Sequence, residues 1–477
     1  MSITGRSTEP PLRWRLVVQQ VGRLLAQAAA LALHPFSYLL LYLVILYIRP
    51  QEFMPTFVDT PIVPVSLLTA MLLWQFGQRK SFDSSAHLLM FGLLAVIFLS
   101  VLMTGWLSGA IRTVVDFLPT LMLFLVVATS ITSLRRFQVM CLLLIGLCVV
   151  IAWHGIDQFE SELGIGWTGA KMIEGRITYI GFLSDPNDLS MAFLMVLPLA
   201  TYLIGAWRWW PLQGALLAAA SCILFAVFLC NSRGAMLSLA SMVLVHCGMR
   251  YGWGRSLVIG PLLVLPLMIF GPSRVAEISA DEASAAGRIE AWYEGFDMFR
   301  SRPLLGVGKG LFTDHHPLTA HNSYVLAIAE LGVIGYTVWL ALLVVSVLQI
   351  LRVLQHVPAV PTSSVAVLSD VQRAALSISD PYASAVVPWS EVRAAAQALL
   401  YGVVGGLVAA FFLSRTYVVF LFLHLAMMTA IYQLARAADP AMAPVRAGSM
   451  PGKLVGASIG SIVFLWFATR VLLNFSD

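Results

Sequence analysis

About a dozen apolar stretches run from residue 30 to the C-terminus, each roughly 15 to 25 residues long and so able to cross a ~30 Å hydrocarbon layer as helix. They lie near 30–48, 62–77, 86–103, 112–130, 137–153, 180–204, 213–230, 235–249, 256–271, 322–351, 395–413, 417–435 and 454–473. Composition agrees. Only 11% of residues are charged and 59% are hydrophobic, whereas a soluble domain carries roughly 25% charge. The expected class is an all-α polytopic membrane protein with about 12 to 13 transmembrane helices.

Basic residues orient the bundle, because Lys and Arg of short loops stay cytoplasmic. With the N-terminus inside, alternate loops carry Arg79-Lys80, Arg135-Arg136, Arg208, Arg250 with Arg255, Arg352 onward, and Arg436 with Arg446 and Lys453. The opposite side receives the acidic stretch 154–177 and a long loop, 272–321. The pattern gives a basic interfacial helix over 1–28, on which Arg13, Arg15 and Arg23 alternate with apolar residues. A first bundle follows over 29–271, then the outer loop 272–321. A second bundle spans 322–477 and contains a cytoplasmic insertion at 353–394 rich in Ser, Ala, Val and Pro. The net charge of +5 is a membrane-lipid signal, and no basic patch interleaved with aromatics points to nucleic acid. Five cysteines fall in or at the ends of apolar segments without a Cys-x-x-Cys pair, which favours packing over a disulfide framework or a zinc site.

Four polar clusters fall on the outer side. In the first, His321-Asn322-Ser-Tyr324 opens an apolar helix that carries Gly332 and Gly335. The two glycines share a face with Ala329, a small-residue stripe of the kind that lets another helix approach closely. The histidine reads either as a proton acceptor at the lipid–water boundary or as one member of an interfacial aromatic belt. In the second, Arg176 precedes Gly181 and the helix-breaking Asp185-Pro186-Asn187-Asp188. The third, Asn231-Ser232-Arg233-Gly234, joins two apolar runs so tightly that its arginine sits at the hydrocarbon edge, as a functional group or as an anchor. The fourth begins at Arg288; Ile289, Trp292, Tyr293, Phe296 and Phe299 give it the apolar stripe of an amphipathic helix lying against the membrane. Gly306-x-Gly308-x-Gly310 follows without a preceding strand and reads as a flexible turn, not a nucleotide loop. Asp314, His315 and His316 have no zinc-type spacing to His321.

Three arginines and a histidine on one face suit a particular chemistry. Guanidinium forks bind phosphate oxygens and stay charged. A diphosphate leaving group needs that neutralisation as a glycosidic bond breaks, and an acceptor hydroxyl needs a base. No nucleotide sugar is available outside the cytoplasmic membrane, so the donor would be lipid-linked.

At this point the motifs resemble a known family. His321-Asn322 followed by Gly332-x-x-Gly335 is similar to the signature of the bacterial O-antigen ligase and O-antigen (exopolysaccharide) polymerase superfamily. Its companion motifs resemble Arg-x-x-x-x-Gly with Pro-Asn at 176–187, Ser-Arg-Gly at 232–234, and Arg-x-x-x-Trp with Pro-Leu-Leu-Gly-x-Gly at 288–308. The resemblance covers roughly residues 140–435. It implies a GT-C-like bundle with a large periplasmic loop in the inner membrane, and a metal-independent reaction without cofactor. It also implies an undecaprenyl-diphosphate-linked glycan donor and a glycan, lipid or protein acceptor. In that framework His321 is the base or the acceptor-orienting group, Arg176, Arg233 and Arg288 grip the diphosphate, and Asn322 and Tyr324 support. Arg49-Pro50-Gln51-Glu52, after the first span, is reminiscent of exopolysaccharide-associated members, or is simply a polar turn. A flippase or other transporter is the competing class. It predicts charge spread through the spans and repeat symmetry, neither of which the sequence displays.

Overall fold

The computed structural model describes residues 34–77, 80–270, 278–358 and 388–476. The basic segment expected over 1–28 lies outside the described residues, as does most of the 353–394 insertion. Fourteen α-helices occur among the described residues. They are α1 Pro35–Ile48, α2 Ile62–Gln75, α3 Ser85–Leu102, α4 Leu107–Ser130, α5 Leu134–Glu160, α6 Pro186–Ala206 and α7 Trp210–Leu229. Then come α8 Arg233–Tyr251, α9 Trp253–Phe270, α10 Ile278–Ser301, α11 Ser323–Gln355, α12 Trp389–Ala410, α13 Val419–Ala438 and α14 Pro451–Ser476. Nine of these are long and apolar enough to cross a membrane, while α1 and α2 are shorter, at 14 residues each. The protein is an all-α polytopic membrane protein, and every apolar run of the sequence corresponds to a helix. One shift in a boundary has a local cause: the run at 180–204 begins its helix only at Pro186, because Asp185 caps there and Pro186 occupies the first turn.

Helices α6, α11, α12 and α13 form the interior, whereas α7 and α14 are mostly uncovered by protein. Glycines set the closest crossing. A Cβ at Gly402 of α12 would fall 2.6 Å from the Met195 carbonyl of α6, and one at Gly406 would fall 2.7 Å from the Met195 sulfur. Small residues four apart let the two backbones meet. Met195 lies just before Pro198, which takes a donor out of the α6 ladder. The His424 Nε2 of α13 approaches the Met195 carbonyl at 2.8 Å.

The Gly332–Gly335 stripe works differently from the sequence expectation. Gly332 is no site of helix crossing; it is a break in α11, with φ 61° and ψ −169°. The segment 303–308 threads into the break. Val333 and Ile334 donate their N–H groups to the carbonyls of Pro303 (2.8 Å) and Leu304 (3.2 Å), while Val307 and Gly308 donate to Ala329 (2.9 Å) and Glu330 (3.0 Å). A broken helix survives at membrane depth only where something re-satisfies its backbone, and here a loop does so. The Pro-Leu-Leu-Gly-x-Gly motif is therefore a docked turn, not a flexible one: a Cβ on Gly306 would land 2.4 Å from the Glu330 carbonyl carbon. The Glu330 carboxylate accepts a further bond from the Gly310 N–H at 2.9 Å. Gly335 keeps the role of a close-packing residue, against Val96 of α3.

Helix α10 also departs from expectation. Its apolar stripe seats on protein: Trp292 and Phe296 are buried, the Trp292 ring meets Phe411 at 5.4 Å, and Gly295 abuts Val325 of α11 and Phe312. From α14, Arg470 lies over the Tyr293 ring at 5.0 Å. An amphipathic stripe is the same whether lipid or protein covers it, so periodicity alone could not tell the two apart.

Candidate functional site

The turns after α1, α5, α7 and α12, and the segment between α10 and α11, gather at one end of the bundle. The joint between α7 and α8 is only residues 230–232. Asn231 takes a left-handed φ of 44° to make the turn, and the Ser232 hydroxyl accepts from the Ala235 N–H at 3.3 Å, capping α8. That geometry puts Arg233 and Gly234 in the first turn of α8. Arg176 closes a short hairpin through its bridge with Ile173. Its Nε donates to the Cys230 carbonyl at 2.8 Å and one Nη to Asn187 Oδ1 at 2.6 Å. One guanidinium thereby ties the α7–α8 joint to the first turn of α6, where Asp185 accepts from the Asn187 N–H at 2.7 Å.

A cavity of about 350 Å³ opens between these elements, lined by Arg176, Asn187, Arg233, Gly234 and Arg288 and walled by Trp292, Phe412 and Leu237. Three arginines from segments far apart in the sequence therefore face one space. The first turns of α6 and α8 also border it. Helix N-termini present unpaired N–H groups and partial positive charge, so they add to the arginines in favouring an anion.

His321 flanks this cavity without lining it. It is half-buried, takes a left-handed φ of 47°, and donates its backbone N–H to Ser414 Oγ at 2.7 Å. Ser414 in turn donates to Thr319 Oγ1 at 2.9 Å. Burial is the largest influence on the imidazole and lowers its pKa from the ordinary value. The Arg288 guanidinium lowers it further, Asp185 opposes, and Arg415 adds to the lowering. The neutral ring, which can accept a proton, is favoured. Arg288 belongs to both halves of the site: it lines the cavity and acts on the histidine.

Asn322 and Tyr324 act on the scaffold. The Asn322 Oδ1 caps α11, accepting from the Tyr324 N–H at 2.9 Å and the Val325 N–H at 3.2 Å. Tyr324 donates its hydroxyl to the Leu407 carbonyl of α12 at 3.1 Å. His315 and His316 approach the loop carbonyls of Leu311 and Leu318 through their Nδ1 atoms, and the five cysteines are free.

One further pair completes the site and is not among the residues expected from the sequence. Arg415, between α12 and α13, forms an ion pair with the buried Asp188 of α6. Its backbone N–H donates to Ser323 Oγ at 2.8 Å, and Ser323 donates to the Leu413 carbonyl at 2.5 Å. The pair thus locks the 411–418 turn to the heads of both α6 and α11, with His321 held in between. The available signal was the same as for Arg233: a Ser-Arg at a tight joint between two apolar runs.

Residues 218–340 match the family model described as O-antigen ligase. That match supports the O-antigen ligase/polymerase superfamily. The O-antigen ligase segment runs from α7 into α11 and so contains Arg233, Arg288 and His321, while Arg176, Asp188 and Arg415 fall outside it. No curated protein matches the chain.

Proposed function

We propose that this protein is an integral-membrane glycan transferase of the O-antigen ligase/polymerase type. It moves an undecaprenyl-diphosphate-linked glycan to an acceptor hydroxyl at the periplasmic face of a bacterial inner membrane. One observation carries the reading: Arg176, Arg233 and Arg288 line a single cavity, and Arg288 also reaches the neutral-favouring His321 at its edge.

In this reaction the acceptor oxygen bonds to the anomeric carbon as the bond from that carbon to the diphosphate oxygen breaks. The electron pair leaves with the diphosphate, whose growing charge the three guanidiniums and the N-termini of α6 and α8 neutralise. The hydroxyl proton passes to the His321 imidazole and then to solvent. Trp292, Phe412 and Leu237 give the cavity an apolar wall, which strengthens each electrostatic contact by keeping water out. The Arg415–Asp188 pair positions the histidine-bearing turn.

The test uses purified protein in lipid nanodiscs, supplied with lipid-linked glycan from the producing cell. His321→Ala and Arg288→Ala are each expected to lose transfer while keeping the wild-type melting temperature within a few degrees. Full transfer by both variants would sink the assignment.

A further inference from the structure

The Arg49-Pro50-Gln51-Glu52 turn contributes no wall to the arginine cavity, yet it is built into the loop that carries Arg176. Arg49 caps the C-terminus of α1, taking φ 54° and donating its N–H to the Ile45 carbonyl at 3.0 Å. Residues 50–52 then form one tight turn, and the Arg49 guanidinium pairs with the Glu52 carboxylate. The pair stays partly open to solvent, with 24% and 31% of the two side chains exposed. The Arg49 side chain lies across Gly181, where any Cβ would collide with it.

An indole stands beside this pair. Trp167 sits at the tip of a hairpin closed by Gly166 N–H to Ala170 O (3.1 Å) and Met172 N–H to Gly164 O (2.9 Å). Gln158 of α5 pins the hairpin through the Ala170 carbonyl at 2.8 Å, and Thr168 meets His154 Nε2 at 2.8 Å. Phe53, His154 and Tyr179 all meet Trp167 edge to face, with centroids at 5.2, 5.0 and 6.3 Å. Despite three ring neighbours, Trp167 remains 44% exposed. The indole is held among three rings and left partly open.

A fixed aromatic surface beside a half-exposed guanidinium–carboxylate pair matches a sugar ring. The C–H face of a pyranose packs on the electron-rich indole, and vicinal hydroxyls bond both members of the ion pair. The internal neutralisation of Arg49 by Glu52 disfavours an anionic headgroup, which would meet the Glu52 charge. Position agrees: Tyr179 donates its hydroxyl to the Ile48 carbonyl at 3.0 Å, three residues beyond Arg176, and Gly181 lies four residues before Asp185. The ion pair and the cavity thus both border the segment 176–187.

We propose that Arg49, Glu52, Phe53 and Trp167 form a saccharide-binding platform that holds neutral sugar units of the glycan beside the reaction centre. The proposal rests on the glycan-transfer reading. Its test is saturation-transfer NMR on the full-length protein in nanodiscs, with oligosaccharides released by mild acid from the lipid-linked glycan of the producing cell as the probe. Wild type is expected to saturate the sugar protons, and Trp167→Ala to weaken binding roughly three- to tenfold, the scale of one lost aromatic contact. His321→Ala should bind like wild type. In transfer assays the Trp167→Ala defect should read as a raised KM. Should Trp167→Ala fail to fold, Glu52→Gln carries the test, with weakened binding expected. The absence of saturation in wild type, or equal saturation in the folded variants, overturns the platform in favour of an interfacial aromatic belt. The two readings separate cleanly: retained transfer by His321→Ala defeats the transferase mechanism, whereas lost transfer with no oligosaccharide binding defeats the platform alone.

Discussion

Basic side chains collect at both ends of the bundle, but the space around them differs. At the site end, Arg233 and Arg288 line a cavity bordered by the first turns of α6 and α8. At the other end, His34, Lys80 and Arg136 line a cleft of only about 60 Å³. There the cations are directed at helix C-termini: an Arg136 Nη donates to the Ser130 carbonyl ending α4 (2.7 Å), and Lys80 Nζ to the Gln75 carbonyl ending α2 (3.0 Å). Lys80 also lies over the Trp74 ring at 4.6 Å. A cation at a helix C-terminus completes the helix; cations beside helix N-termini create a place for an anion. Arg176 shows both uses, since its Nε caps the Cys230 carbonyl after α7 while it lines the cavity. The space left around the cations, about 350 Å³ against about 60 Å³, and not residue type, separates scaffold from site.

The most direct way to break that contrast is to remove one arginine from each end. Arg233→Ala should lower transfer about 10²- to 10³-fold, the scale of deleting one preorganised electrostatic group, with little change in melting temperature. Arg136→Ala should do the reverse, lowering the melting temperature by a few degrees through loss of a buried hydrogen-bonded charge, and leaving transfer per folded molecule close to wild type. Equal catalytic losses in the two variants would show that the distinction between the two ends is wrong.

A second contrast lies within α11, between the break and the residue that follows it. Gly332→Ala places a Cβ 2.5 Å from the backbone of Leu304 and Leu305, at a φ of 61°. Such a residue costs on the order of 1–3 kcal/mol in strain alone, so the yield of folded protein and its melting temperature should both fall. Val333→Ala, one position along, leaves the backbone N–H bond to the Pro303 carbonyl in place and trims only a half-buried side chain. It should be far milder. Comparable losses in the two variants would mean that the docked turn does not hold the break.

Much of this was legible in the sequence, for reasons that also explain the omissions. The spans were legible because lipid demands long apolar runs, and Arg233 because charge at a hydrocarbon edge is costly without a purpose, while Arg176 and Arg288 stood out as the heads of polar clusters on the outer side. Arg415 carried the same Ser-Arg signal as Arg233, but its pairing with Asp188 was not legible, since the partners stand 227 residues apart and no local pattern joins them. The break at Gly332 was hidden by an ambiguity: a Gly-x-x-Gly run is written the same way for helix packing and for a docked loop, and only the Pro303–Gly308 backbone resolves it. The seating of α10 on protein was hidden similarly, because Trp292 and Phe296 would suit lipid as well as they suit Phe411 and Val325.

The smallest expected effect concerns the two influences that compete at His321. A base must be neutral to act, so transfer should fall as pH drops through the His321 pKa, which burial and Arg288 hold below the ordinary histidine value. Asp185 opposes them by favouring the charged ring. Asp185→Asn keeps an oxygen able to cap α6 but removes that opposing charge, so the pKa should drop further. The acidic limb of the kcat/KM profile should then move to lower pH, leaving the variant closer to full activity than wild type under acid conditions. A limb that moves upward, or stays in place while α6 remains folded, would remove Asp185 from the electrostatics of the site. A wild-type profile with no acidic limb would remove His321 as the titrating base.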